Sequence, residues 1–231
     1  MTLELQNIEK NVEGSQHIYP TSLVLEKNTI NILLGATLSG KTTLMQLMGG
    51  IEKPTQGKIL FNGNDVTNVS VQKRNISMVY QQFINYPNFT VYENIASPLR
   101  LQKMEESVID QKVHEIAGLL KLTPMLSRKP NELSGGQQRM VEISRTLMSE
   151  PKVLLVDEPT AGLSKMLAEE VYEMLKMLVT VDELTILLVD QEIRQALKIA
   201  DYVYVLELGR NKFEGPAQQF TDLEKAFWVG G

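Results

Sequence analysis

No cysteine occurs among the 231 residues, tryptophan occurs once, histidine twice, and aromatic residues make up only 6% of the chain. The missing thiols exclude a disulfide framework, a zinc finger and a cysteine nucleophile, and they fit a reducing compartment. His17 and His114 lie far apart with no partner at metal-ligand spacing, so both are read as structural. Long apolar runs are absent as well. Val153 to Val156 and Ile186 to Val189 are of strand length, far below the roughly eighteen residues of a membrane span. No basic block stands out from 23 Lys and Arg against 28 Asp and Glu, a net charge of −5. Nucleic acid is therefore not expected as a partner. The opening MTLELQNIEK carries Glu4 and Glu9 where a secretory leader needs a continuous apolar core, so an intracellular soluble protein is expected.

What is present is ordinary globular composition, 43% hydrophobic and 22% charged with Gly 15 and Pro 9. The length predicts one large domain, with room for an inserted lobe. Leu3 to Ile8 and Thr21 to Leu25 alternate apolar and polar residues like half-buried antiparallel strands. Thr29 to Leu34 is a short apolar run, the pattern of a strand covered on both faces. Similar runs recur at Val153 to Val156 and Thr185 to Val189, followed by helical spacing over Lys165 to Val179 and Ile193 to Ala200, and by a last strand at Tyr202 to Leu206. Buried strands alternating with amphipathic helices predict a parallel α/β sheet. Between the halves, about 90–148 is mostly helical in pattern, a candidate inserted subdomain; after Gly215 only a short tail, 216–231, remains. The methionines of Met166 to Met177 read as core packing of a helix.

Gly35-Ala36-Thr37-Leu38-Ser39-Gly40-Lys41-Thr42, followed by Thr43, matches the P-loop pattern and sits between a strand and a helix, as that motif requires. Glycine backbone can wrap an anion so that successive N–H groups point inward, and the helix adds its positive end. Lys41 would neutralise β- and γ-phosphates, and the Thr42 hydroxyl would ligate Mg²⁺. Val153-Leu154-Leu155-Val156-Asp157-Glu158 closes a buried strand with two carboxylates, where open α/β sheets place ligands. Asp157 would hold the Mg²⁺ shell. Glu158, on the other side of the strand end, could accept a proton from an attacking water. Leu133-Ser134-Gly135-Gly136-Gln137-Gln138-Arg139 opens another helix, which Ser134 can cap, the two glycines leaving its first N–H groups open to an anion; taken alone, an ordinary N-capped helix with a Gly-Gly turn is the preferred reading.

Taken in order, the P-loop, Gln81 in MVYQQ, LSGGQQR and VLLVDEP resemble the nucleotide-binding subunit of an ATP-binding cassette (ABC) transporter, over nearly the whole chain. The resemblance implies one ABC ATPase domain over 1–231, a P-loop NTPase core with an antiparallel β subdomain and an inserted helical subdomain. It implies ATP and Mg²⁺ as cofactors, and Gln81 as a contact to Mg²⁺ and to the membrane subunit. Ser134, Gly135, Gly136 and Gln137 would close on ATP held by an opposite subunit, a homodimer or a heterodimer with another ABC ATPase. Integral membrane permease subunits and, indirectly, a solute-binding protein are the further partners implied, with the chain peripheral on the cytoplasmic face of the inner membrane. Up to about Gly136, with MVYQQFINYPNFTVYENIASPLR clearest, the chain resembles carbohydrate and glycerol importers. From about Arg139, including the closing FWVGG, it resembles branched-chain amino acid importers, as a hybrid joined near LSGGQQR would. Carbohydrate importers usually append a β-rich regulatory domain after such a cassette, and with only a short tail after Gly215 none is expected here.

Two positions depart from the wider family pattern. Ser164 stands where an aspartate is usual, and Gln191 where a histidine is; both resemble the amino acid importers. Gln191, the expected γ-phosphate sensor, can donate a hydrogen bond but carries no charge. The alternative to an active ATPase is therefore a subunit that binds nucleotide, hydrolyses it weakly or not at all, and pairs with an active partner. A soluble ABC ATPase of translation or DNA repair fits less well, because those usually fuse two cassettes or carry long inserts. Simple register places Val12 at the adenine-stacking position. Tyr19, the nearest aromatic, reads as a surface or core residue.

Overall fold

The computed structural model describes residues 3–82, 84–181 and 183–220. Among these residues ten strands and six α-helices are formed, besides short 3₁₀ turns: β1 Leu3–Val12, β2 Ser15–Leu25, β3 Ile30–Leu34, α1 Lys41–Gly49, β4 Gln56–Phe61, β5 Asn64–Asp65, β6 Ile76–Val79, α2 Val91–Leu101, α3 Glu106–Leu119, α4 Gly135–Leu147, β7 Val153–Asp157, α5 Lys165–Val181, β8 Thr185–Val189, α6 Ile193–Leu197, β9 Tyr202–Glu207 and β10 Arg210–Pro216. They build a four-stranded antiparallel sheet, β2-β1-β4-β5, and a six-stranded sheet, β10-β9-β3-β8-β7-β6, parallel except for β10. The stretch from 90 to 148 holds α2, α3 and α4.

The period-2 alternation of side chains makes the larger sheet a wall between two cores. Leu154 and Val156 of β7, Ile186 and Leu188 of β8, and Ile32 and Leu34 of β3 face the core shared with α2 to α6. Their neighbours Val153, Leu155, Leu187, Val189 and Leu33 face the other core, shared with α1 and the antiparallel sheet. Strands covered on both faces have no polar side to alternate with, which is why they read as continuous apolar runs.

The strands are longer and more numerous than the pattern indicates. β1 and β2 form one hairpin through Glu13 and Gly14, both at positive φ. Register shifts after Leu5 and Ile8 interrupt the alternation, which hid residues 9–20. Lys58 to Phe61 is too short a signal alone, yet β4 completes the sheet by pairing with β1. The expected tail after Gly215 begins inside β10, an edge strand of mostly exposed residues. The closing FWVGG lies outside the described residues. Among the described residues no helix is long and apolar enough to cross a membrane.

Candidate active site

Parallel strands in register end at one level, and the loops that follow them meet there. Leu34 pairs with Val205, Val79 with Val156 and Asp157 with Val189. The loops after β3, β6, β7 and β8 thus bring together the P-loop, Gln81, Asp157 with Glu158, and Gln191. The chain reaches α1 through Gly40 at φ +100, a left-handed position that also leaves no space for a Cβ, since Ile18 Cδ1 would lie 2.7 Å from it. The first intrahelical bond runs from Leu44 N–H to the Gly40 carbonyl, so the amides before it are those every helix N-terminus leaves for an anion. Lys41 Nζ donates to the carbonyls of Gly35 (2.8 Å) and Ala36 (2.9 Å), which holds the ammonium over its own loop. Burial lowers the Lys41 pKa, opposed by the nearby charges of Glu158 and Asp157.

Thr42 Oγ1 donates to Asp157 Oδ2 at 3.2 Å. Burial raises the Asp157 pKa; the Thr42 hydrogen bond works against this, the Glu158 charge adds to it and the Lys41 charge opposes it. Glu158 takes a φ of +46°, a strained conformation for a side chain of that size. Its N–H is bonded to the Val189 carbonyl at 2.7 Å, which fixes the bend. Glu158 Oε2 accepts from Gln81 Nε2 and from Gln191 Nε2, each at 2.7 Å. One carboxylate is therefore aimed by two neutral amides. The Thr160 hydroxyl donates to buried Asp190 (2.8 Å), tying the loop after β7 to the end of β8 and so setting Gln191 beside Glu158.

Thr37, Leu38, Gly40, Lys41, Thr42, Thr43, Gln81, Glu158 and Gln191 line a cavity of about 870 Å³. Gly35 and Ala36 supply carbonyls behind it, and Ser39 is buried beneath. The sequence reading missed one wall, made by Gln16, His17, Tyr19, Leu208 and Gly209. Tyr19 is thus a cavity residue, not a bland surface or core one, and His17 lies beside it. The Arg210 guanidinium stacks 3.7 Å from the Tyr19 ring centroid. Tyr19 N–H donates to the Gly209 carbonyl, while Gly209 N–H donates to the Ser39 carbonyl, both at 2.9 Å. Only a fold that lays the β9–β10 turn against β2 creates this wall, and no local pattern announces it. Val12 sits exposed at the hairpin end.

The second glycine-rich loop is elsewhere. Ser134 caps α4 by accepting from Gln137 N–H, and Gln137 reaches back to Ser134 N–H, a reciprocal box. Ser134, Gly136 and Gln137 line a different cavity of about 810 Å³ with Met140, Leu167 and Met174. Met174 is buried but Met166 is largely exposed at its rim, so the methionines of α5 are only partly core.

A family described as ABC transporter matches residues 18–161. The spermidine/putrescine import ATP-binding protein PotA of Acetivibrio thermocellus is 37% identical over 228 residues, 98% of this chain and 65% of that protein. PotA of Haemophilus influenzae is 33% identical over 97% of the chain and 61% of its own length. The chain thus spans less than two thirds of these relatives. The probable sulfate/thiosulfate import ATP-binding protein CysA of Chlorella vulgaris is 34% identical, over 96% of this chain and 94% of its own. Among solved structures, the ADP conformation of MJ1267, an ATP-binding cassette of an ABC transporter, superposes with a TM-score of 0.87 at 27% identity, covering 100% of both chains. On a family match spanning more than half of its residues, and on relatives above 30% identity along almost all of its length, the chain belongs to the ABC transporter family.

Proposed function

We propose that the chain binds and hydrolyses ATP and transmits that cycle to membrane-embedded subunits that import a solute. The observation that carries this reading is the Glu158 carboxylate, held between the Gln81 and Gln191 amides beside the Thr42–Asp157 pair and Lys41. Thr42 and Asp157 offer two hard oxygen donors in hydrogen-bond contact, a set suited to Mg²⁺ held largely through phosphate oxygens. That ion would supply charge neutralisation at the phosphates. Lys41 and the first amides of α1 would bind the β- and γ-phosphates, and Tyr19 would carry the base. Glu158 would orient a water and take its proton as the water attacks the γ-phosphorus in line and the bond to the β-phosphate oxygen breaks. Gln81 and Gln191, both neutral donors, would keep Glu158 aimed.

The loop Ser134-Gly135-Gly136-Gln137 makes no contact with this cavity in its own chain, so we infer a head-to-tail pair in which it closes on nucleotide held by a second cassette. A relative by structure, MJ0796, is described as dimeric with bound ADP and Pi; it has a TM-score of 0.82 at 26% identity, covering 93% of this chain and 98% of its own. The proposed unit is one cassette over 1–231, peripheral on the cytoplasmic face, with permease and solute-binding partners. The relatives' names span a polyamine cation and a sulfate anion. A cassette of shared design thus serves opposite solute chemistries, and solute choice belongs to the other subunits. A join of two gene halves near 136–139 is a separate proposal, sunk by a natural transcript lacking that junction.

Glu158→Gln is expected to keep ATP binding and lower turnover on the order of a hundredfold or more; undiminished hydrolysis removes the assignment. The second reading, a subunit with weak hydrolysis, is favoured by the uncharged Gln191. Turnover of the purified chain, alone and with a partner cassette, separates the two.

A further inference from the structure

Arg139, five residues beyond Ser134 on α4, is fully shielded from solvent, as is Glu142 but for 2%. Burying a guanidinium is costly, and an ion pair in that position seldom adds stability over well-packed apolar residues. The question is what the charge does there. Arg139 Nη1 bonds Glu142 Oε2 at 2.7 Å and also the Tyr80 carbonyl at 2.5 Å, while Nη2 bonds the Gln81 carbonyl at 2.6 Å. Burial raises the Glu142 pKa, opposed first by the Arg139 charge and also by the Tyr80 backbone.

Successive carbonyls of an extended strand point to opposite sides. That one planar fork takes both Tyr80 and Gln81 means the chain has left strand geometry directly after Val79, where β6 ends. The fork grips this bend by two successive carbonyls, and Glu142 holds the fork. Beyond the bend, the Gln81 side chain reaches Glu158 at 2.7 Å. Asn85 Nδ2, a few residues on, donates to the Gln138 carbonyl at 2.9 Å, a second tie between this segment and α4.

We propose that Arg139 is a positioning residue: its guanidinium, balanced by Glu142, fixes the Tyr80–Gln81 peptide and so sets the reach of the Gln81 amide to Glu158. The catalytic part of this inference rests on the proposed hydrolysis; the clamp itself does not. Arginine is suited to the role because its donors lie in a rigid plane. Lysine keeps the charge opposite Glu142 but is a point donor and cannot hold both carbonyls in one plane.

Arg139→Lys is the test. Amide hydrogen exchange in the full chain is expected to quicken about tenfold or more over residues 76–82, with residues 153–157 unchanged. Turnover is expected to fall about tenfold with KM for ATP within about twofold, the pattern of a misplaced catalytic group and not of lost binding. In a Gln81→Ala background, Arg139→Lys should add less than about a twofold loss, because Arg139 acts through Gln81. Unchanged exchange over 76–82 overturns the clamp, and a full tenfold loss added to Gln81→Ala overturns its route through Gln81. A wild-type chain without turnover removes the functional reading, while exchange still decides the clamp. If Arg139→Lys does not fold, the neutral pair Arg139→Gln with Glu142→Gln carries the same readouts and expected directions.

Discussion

The chain has two glycine-rich loops that each open a helix, and the fold treats them in opposite ways. The P-loop is enclosed by its own chain: a Cβ at Gly35 would meet the Leu206 carbonyl oxygen at 2.3 Å and Ser39 Oγ at 2.5 Å, and the Ser39 carbonyl is bonded to the β9–β10 turn. The loop at Ser134 closes on a local capping box, and Gly135 keeps an ordinary negative φ at the first position of α4, while the next residue, Gly136, is buried with a Cβ position 3.0 Å from Leu167 Cδ2. Glycine is therefore demanded in the first loop by the chain itself. In the second, Gly136 is crowded by Leu167, but the backbone conformation of Gly135 makes no such demand.

The sharpest way to break this contrast is to add one methyl group to each loop. Gly35→Ala forces backbone apart and is expected to cost about 2–4 kcal/mol in denaturant unfolding, and nucleotide binding with it. Gly135→Ala should leave stability unchanged or raise it by up to about 1 kcal/mol, as alanine does in a helix, and still lower turnover. Equal destabilisation of the two variants would erase the distinction. Next in size, Lys41→Ala is expected to weaken nucleotide binding by about 10–100-fold in a fluorescent-nucleotide titration, with the Ser134 loop untouched. Ser134→Ala should cost about 1 kcal/mol through the lost cap without altering nucleotide affinity of the isolated chain.

The smallest effect concerns Asp157, whose carboxyl burial holds above the usual range. A carboxyl raised in this way contributes stability below its unfolded pKa and loses it as pH rises through the folded value. Asp157→Asn removes that loss. It should therefore melt higher than the wild type at neutral pH in Mg²⁺-free buffer, the gain shrinking as pH falls through the raised folded value and gone below about 4. A lower melting temperature at neutral pH would count against a desolvated Asp157.

Much of the site was legible because its parts are local patterns: an apolar run, then a loop, with a fixed spacing to Lys41, Thr42, Asp157 and Glu158. Gln81 and Gln191 could be placed by resemblance, but their shared bond to Glu158 Oε2 could not, since it depends on β6 and β8 flanking β7. Tyr19 and Arg210 were illegible for the same reason, being joined only by contact between the antiparallel sheet and the last hairpin. β10 escaped because an exposed edge strand has no apolar alternation to reveal it. Arg139 stood in the sequence only as the last residue of LSGGQQR, with nothing to mark it as buried. Its burial follows from where β6 ends, not from its neighbours in sequence.

The Leu208–Gly209 turn has both residues at positive φ and bonds through Gly209 to Ser39 on one side and Tyr19 on the other. A pair of hydrogen bonds from near the last described strand thus finishes a loop that lies near the start of the chain. During synthesis, β3 and α1 emerge long before this turn does, so the phosphate-binding loop cannot take its final form until almost the whole cassette has left the ribosome. A nascent chain stalled before residue 209 should hold its early strands and yet retain no nucleotide.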